Sequence, residues 1–576
     1  MNAKTFFEER RPRLAEWLAQ PMRRNRAVFL RVAAAAVMVN LFAYAISLFT
    51  LLVYDRVLPN LAFDTLTALS IGIGIVLVFD FILRILRAYF VDIAGADMDR
   101  EIGATFFDKI VEIRLAARRG STGHLAGLIR ELETLRDFFA SATLISVVDV
   151  PFVVLTLILI GMLAGWVVIV PLVLIPVTIV AGLLSQPALD RLSSKTMAGG
   201  LGKQSVMVET LGAMEMVKTS GAQPLLRKRW LQAVENQADA SVRQRLVSNI
   251  AMTVAASATS ISYSGIVILG IFLIAAGDIT PGGLIAASIL SSRALQPLGQ
   301  VASLLARFAA VRTAYRQLTR LMDEEIEGPS EDGLRPSRIE GKIELRGIEF
   351  RYPGSGEKTL DNLSMTINPG EKVGIIGRVG SGKSTITRLI LGLYEAEEGL
   401  VLIDGTDIRQ LDPATVRSQI GAALQEPVLL SGSVRENIVL DRDYIDDEEM
   451  IRAAQVSGAH DFMGRMTNGY DRGLADRGEG LSGGQRQAIS LARALVGKPR
   501  VLIFDEPTSA MDANSEQQLI ERLKSETADR TVVIVSHRIN LLQLVDRIVV
   551  VEAGRITHDG PRDEVLKAMS RPKEAA

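Results

Sequence analysis

The sequence predicts a multidomain chain: an all-α, six-helix transmembrane domain followed by an α/β domain built around a glycine-rich loop. Three observations carry that prediction. Apolar runs long enough to span a bilayer recur through residues 29–301, while the remainder reads like a soluble protein. Beyond residue 341, strand-like and helix-like stretches alternate, the pattern of a partly parallel sheet with helices packed on it. The motif G-x4-G-K-S at 377–384 stands between one such strand and one such helix. A chain of 576 residues is also too long for one hydrophobic core, so at least two domains are expected.

Composition narrows the chemistry. Hydrophobic residues make up 48% and charged residues 22%, with a formal net charge of -1. Nothing in that balance favours a nucleic-acid partner. There is no cysteine, which excludes disulfides, thiolate chemistry and cysteine-based metal sites. Four histidines make a histidine-rich metal site a poor expectation.

Residues 1–28 are basic and amphipathic, with Arg10, Arg11, Arg13, Arg23, Arg24 and Arg26. No small-residue cleavage site follows the first apolar run, so a cleaved signal peptide is not expected. The expectation is an interfacial helix leading into the first span; a solvated basic tail is the alternative.

The membrane domain is expected over 29–323. A bilayer core about 30 Å thick needs roughly 20 helical residues. Six segments meet or approach that: 29–54, 65–87, 142–162, 164–184, 248–276 and 281–301. The third and fourth are separated only by a break between Gly161 and Gly165, a tight hairpin. The sixth is interrupted by Arg293, Gln296 and Pro297. Connections 2–3 and 4–5 keep helical periodicity over more than fifty residues and continue the membrane helices into water. They are rich in Arg and Lys, as is the N-terminus, which places all three on the cytoplasmic side. Charges inside the spans allow two readings. Asp80, Arg84 and Arg87 share one helix face; they either border a translocation pathway or form a pair that packs helices. Asp149, two residues before Pro151, poses the same choice.

A charged, Pro/Gly-rich linker at 324–341 leads to the second domain, 342–576. Its loop comprises Gly377, Arg378, Val379, Gly380, Ser381, Gly382, Lys383 and Ser384, followed by Thr385. Placed between KVGII and TITRLILGL, it is a P-loop. Its glycines let backbone N–H groups turn inward around phosphates, and the following helix N-terminus adds positive potential. Lys383 supplies a point charge to the β- and γ-phosphates, and Ser384 offers a hydroxyl to Mg²⁺. The apolar run VLIFDE at 501–506 ends in two carboxylates. Asp505 is placed to hold Mg²⁺ and Glu506 to polarise the attacking water. ATP and Mg²⁺ are therefore the expected ligands.

LSGGQ at 481–485 (Ser482, Gly483, Gly484, Gln485) resembles the signature motif of ABC ATPases. The resemblance extends in order to further positions. Tyr352 fits the aromatic that stacks on adenine, and Gln425 the Q-loop residue that senses Mg²⁺ and the membrane domain. Asp512 fits the D-loop, with Met511 where Leu is common, and His537 fits the switch histidine that contacts the γ-phosphate. The resemblance implies a type I ABC exporter fold with an ABC nucleotide-binding domain. It implies catalysis by Glu506, His537, Gln425 and Lys383, with Ser384, Gln425 and Asp505 at the metal. It also implies that each ATP lies between the P-loop of one subunit and the signature of another. One chain holds one of each, so a homodimer is expected, with a heterodimer as the alternative. Coupling contacts are expected near residues 115–125 and 210–225.

Stretches 53–72, 86–95, 135–152, 209–223 and 282–300 resemble the type I secretion exporters of Gram-negative bacteria, nearest those for repeat-rich toxins and large adhesins. That likeness implies an inner-membrane protein that exports an unfolded polypeptide with a membrane fusion protein and an outer-membrane channel. About 28 residues precede the first span, so neither leader cleavage nor docking by an N-terminal peptidase-like domain is expected. Export of lipid or small molecules on the same scaffold is the alternative.

Overall fold

The computed structural model describes residues 14–117, 121–139, 142–328 and 333–570; Arg10, Arg11 and Arg13 lie outside them. The chain divides into two compact units. One holds 1–111 and 119–324; the other holds 112–118 and 325–576.

The first unit is helical. After α1 (Glu16–Arg24) come α2 (Arg26–Leu52), α3 (Phe63–Glu112), α4 (Thr122–Phe139), α5 (Ala142–Ala164), α6 (Ile169–Gly212), α7 (Gln223–Ala276) and α8 (Pro281–Met322). At about 1.5 Å per residue, α3 with 50 residues and α7 with 54 far exceed a bilayer. Their polar ends therefore stand in water, as the periodicity of the long connections predicts. Among the described residues, the stretches long and apolar enough to cross a membrane are Arg26–Asn60, Phe63–Glu112, Val148–Gly212 and Gln223–Ala276. The third contains two expected spans, parted by a 3-10 turn over Gly165–Val168. Gly165 takes φ +54° there, a conformation costly for residues with a Cβ. Helix α8 falls outside the set, in keeping with the polar interruptions in its sequence.

Polar residues join these helices where the sequence left the reading open. Arg84 donates to Asp80 at 2.7 Å within α3. Asn40 on α2 donates to Asp149 on α5 at 2.6 Å, and four residues further along α2 Tyr44 meets Thr156 of α5 at 2.9 Å. Both aspartates thus have local partners. The N-terminus of α8 is held by an acid from the first hairpin. Asp55 accepts from Thr280 Oγ1 at 2.6 Å and from Gly282 N at 2.9 Å, while Thr280 caps the helix through Gly283 N. A carboxylate at a helix N-terminus satisfies free N–H groups and the helix dipole together.

Helix α1 packs its apolar side on protein. Leu18 is buried with Met98 and Ile102 of α3, Trp17 stacks on Tyr315, and Ala15 N donates to the Tyr315 hydroxyl at 2.8 Å.

The second unit is α/β. Its strands are β1 (Ile343–Phe350), β2 (Leu360–Ile367), β3 (Lys372–Ile376), β4 (Glu398–Ile403), β5 (Thr406–Asp407), β6 (Ile420–Ala423), β7 (Gly432–Ser433), β8 (Gly473–Leu474), β9 (Val501–Asp505), β10 (Thr531–Val535), β11 (Arg547–Glu552) and β12 (Arg555–Pro561). Among the described residues they form an antiparallel sheet of order β2-β1-β4-β5, a six-stranded sheet of order β12-β11-β3-β10-β9-β6, and the short pair β7-β8. In the large sheet β11, β3, β10, β9 and β6 are parallel. β9 and β10 are buried along their whole length, which is why they read as unbroken aliphatic runs.

The segment 112–118 groups with this unit. Ile113 forms an antiparallel bridge with Ile326, Arg114 Nε donates to Ile326 O at 2.9 Å, and Arg114 pairs with Glu395 at 3.3 Å. Part of the expected coupling stretch, 118–120, lies outside the described residues.

Candidate functional site

Parallel strands bring their carboxyl ends to one edge, where open α/β sheets bind ligands. The register aligns Val535 with Asp505 and with Ile375, and Ala423 with Phe504. The loops after β3, β9, β10 and β6 therefore emerge together. They carry the P-loop, Glu506, His537 and Gln425.

The P-loop depends on glycine at its ends. A Cβ on Gly377 would meet Val551 O at 2.1 Å. Gly382 takes φ +100° just before the helix that starts at Lys383 (α9, Lys383–Ile390). Between them Val379 stands at the exposed tip, 92% accessible. Lys383 is buried, and its Nζ donates to Gly377 O and Arg378 O, both at 2.9 Å. Burial pulls the Lys383 ammonium below its ordinary value, with Glu506 and Asp505 acting against that. Anionic oxygens placed beside this ammonium would favour its charged form, as Glu506 and Asp505 do. The Ser381 hydroxyl is buried in this loop with no partner, a group that phosphate oxygens would satisfy.

Asp505 ends β9 in the interior. Burial raises its carboxyl above the usual range, opposed by a hydrogen bond from Ser384 and by the charges of Arg388 and Lys383. Its Oδ1 is buried without a partner. A serine hydroxyl beside one orphaned carboxylate oxygen suits Mg²⁺, which takes one or two protein ligands and completes its shell with water and phosphate. Among the described residues there is no cluster of three acids and histidines for an all-protein metal cage. Gln425 lies exposed in the bend after β6.

Glu506 has φ +51°, which costs a residue with a Cβ about 1–3 kcal/mol. Its surroundings hold it there. Glu506 N donates to Val535 O at 2.8 Å, and Gln487 Nε2 donates to Glu506 O at 2.8 Å. His537 N donates to the Glu506 carboxylate at 3.0 Å. The His537 ring nitrogen lies 3.7 Å from the same carboxylate, with the imidazole about half exposed. An aimed carboxylate and an accessible imidazole on adjacent loops can orient a water for in-line attack.

The signature segment opens helix α10 (Gly483–Leu495). Ser482 and Gln485 form a reciprocal capping box, so the exposed Ser482 and the backbone of Gly483 and Gly484 present a helix N-terminus, an anion-attracting surface. Asp512 caps the next helix, α11 (Ala513–Glu526), accepting from Asn514 N and Ser515 N. Backbone hydrogen bonding from Ser515 leads the interactions that hold its carboxyl below the usual range. Tyr352 sits edge-on to Phe350 and Tyr394. Its hydroxyl meets Thr385 Oγ1 at 3.0 Å and accepts from Arg388 at 2.8 Å. Tyr352 is thereby fixed against the P-loop helix.

Sequence reasoning missed Gln487 and Arg538. Gln487, two residues past the signature, looks like an ordinary polar helix residue yet is 4% exposed. Arg538 reaches Ser509 O and Met511 O and pairs with the buried Glu516. Its position directly after His537 was the available signal.

Comparison with known proteins accords with this geometry. Residues 360–509 match the family described as ABC transporter, and residues 29–298 match the ABC transporter transmembrane region. The leukotoxin translocation ATP-binding protein LktB of a Pasteurella haemolytica-like species is 33% identical over 555 residues, covering 96% of this chain and 78% of that protein. The leukotoxin export ATP-binding protein LtxB of Aggregatibacter actinomycetemcomitans is 32% identical over 558 residues, with the same coverage. Among solved structures, a bacterial Atm1-family ABC exporter with ATP bound superposes with a TM-score of 0.84 at 23% identity. It covers 96% of this chain and 99% of that one, a likeness of fold.

Proposed function

We propose that this chain, which belongs to the ABC transporter family and couples ATP hydrolysis to transport, is the inner-membrane translocase of a type I secretion system. Its substrate in this reading is an unfolded polypeptide, passed to a membrane fusion protein and an outer-membrane channel. The observation that carries it is the 33% identity to a leukotoxin translocation protein along 96% of the chain.

Two copies supply two complete sites in this reading. The P-loop of one copy binds ATP through its inward N–H groups and Lys383, and Ser482, Gly483 and Gly484 of the other close over the γ-phosphate. Ser384 and Asp505, with Gln425, would hold Mg²⁺, which would supply positive charge against the negative charge that develops on the phosphates. Glu506 polarises the attacking water, and His537 stabilises the γ-phosphate as charge shifts. Catalysis is positioning and electrostatics throughout. The membrane helices that continue into water carry the resulting movement to the spans.

The test is ATPase stimulation in proteoliposomes by C-terminal peptides of secreted proteins encoded beside this chain. Stimulation by such a peptide, and not by lipids or small amphiphiles, supports polypeptide export. Stimulation by lipids or small amphiphiles alone replaces it with the other exporter class.

A further inference from the structure

We propose that Gln487 is a positioning residue for ATP hydrolysis: it fastens the backbone of Glu506 and the turn that follows to the signature helix, so that Glu506 is aimed only when that helix is seated. This rests on the assignment of Glu506 as the residue that polarises water.

Gln487 is almost fully buried, and both ends of its amide are used. Nε2 donates to Glu506 O at 2.8 Å and to Ser509 Oγ at 3.1 Å, and Oε1 accepts from Ala510 N at 3.0 Å. One side chain thus spans the start and the end of the turn Glu506–Ala510. Ser509 N closes that turn on the same Glu506 oxygen at 3.2 Å.

The partner groups make the contact consequential. Glu506 stands in the left-handed region, where a residue with a Cβ persists only when its surroundings over-determine it. Its amide is held by Val535 O and its carboxylate by His537 N, and on the carbonyl side Gln487 makes the shorter of two hydrogen bonds, the other coming from Ser509 N. Without Gln487 the carbonyl keeps only the 3.2 Å contact within its own turn, and nothing ties that turn to the signature helix through this side chain. The same turn is packed against the front of α10: a Cβ on Gly484 would lie 3.0 Å from Ala510 O. Gln487 follows the segment Ser482–Gly484, of which Ser482 is exposed, within about one helical turn. A ligand that seats that segment therefore shifts, through a rigid helix, the side chain that holds Glu506.

The experiment uses the purified full-length chain and two variants, Gln487→Leu and Gln487→Glu. Leucine removes every hydrogen bond at similar size; glutamate keeps an acceptor for Ala510 N and loses the donor to Glu506 O. Both are expected to lower kcat by about tenfold to a hundredfold, the effect of a small misplacement of a reacting group, with KM for ATP nearly unchanged. The second measurement is residual single-turnover hydrolysis in a Glu506→Gln background, where adding Gln487→Leu should cost little more, because both changes remove one function. Unchanged kcat in a folded Gln487→Glu protein overturns the proposal, as does a full additional loss in the Glu506→Gln background. Loss of ATP binding in step with kcat also overturns it, since that marks a general structural role. Near-wild-type turnover in the Glu506→Gln protein defeats the assignment of Glu506 itself, a separate result.

Discussion

Replacing Glu506 by glutamine should separate ATP binding from hydrolysis. The structure predicts that the fold tolerates the change. Glutamine has the same length, its carbonyl oxygen can still accept from His537 N, which lies 3.0 Å from the Glu506 carboxylate, and the Gln487 and Val535 contacts reach only the backbone. What disappears is the negative charge and its basicity. General-base assistance contributes about 10²–10⁴ in rate, or about 3–5 kcal/mol on the barrier at 1.36 kcal/mol per decade. Nucleotide affinity should survive, because Lys383 and the P-loop are untouched. Phosphate release by the purified chain measures the first effect, and retention of ATP on a stable dimer in gel filtration measures the second. Turnover within about tenfold of wild type would refute the role of Glu506. Parallel loss of binding would show that the substitution disturbs the site rather than the chemistry.

Three further outcomes follow from the geometry. Gly377→Ala places a Cβ 2.1 Å from the backbone oxygen of Val551; overpacking of that kind costs about 1–3 kcal/mol and displaces the phosphate loop, so both the unfolding midpoint and binding of a fluorescent ATP analogue should fall. Asp55→Ala removes the acceptor for Thr280 and Gly282 N, and a lost cap costs about 1 kcal/mol; thermal unfolding should shift down while ATP affinity of the folded protein stays unchanged. Burial raises the Asp505 carboxyl, so its proton persists to higher pH than the ordinary value of about 4. In the proposed role the ionised form would hold Mg²⁺, so Mg²⁺-dependent ATP affinity should decline as pH falls into the range where Asp505 protonates, and Asp505→Asn should abolish this acid limb.

Most of the nucleotide site was legible because its chemistry is local in sequence. A loop that wraps phosphates needs glycines at fixed offsets, a lysine and a hydroxyl within eight residues, and a strand and helix on either side. The Asp505–Glu506 pair was legible for a similar reason, since a buried strand leaves a run of aliphatics that the acids interrupt. The membrane helices announced themselves by apolar length, except α8, whose Arg293 and Gln296 dilute the signal. Asp80 and Asp149 could not be assigned from spacing, because one of them answers to Asn40, 109 positions away.

The sequence by itself determined that the chain has a membrane half and an ATP-hydrolysing half, and it singled out Lys383, Ser384, Asp505 and Glu506 as candidate site residues, with His537 added by resemblance. The two halves and the first four residues follow from periodicity, composition and short motifs, which act over a few residues. Only the tertiary structure decided that Asp55 holds the last membrane helix, that Asp149 joins two spans, and that Gln487 grips the turn carrying Glu506. Each of these is a hydrogen bond between residues distant in sequence, brought within reach by the packing of the chain; for the buried Gln487 amide, packing also removes water as a partner. Which polar groups meet is a property of the packed chain, and no local pattern encodes it.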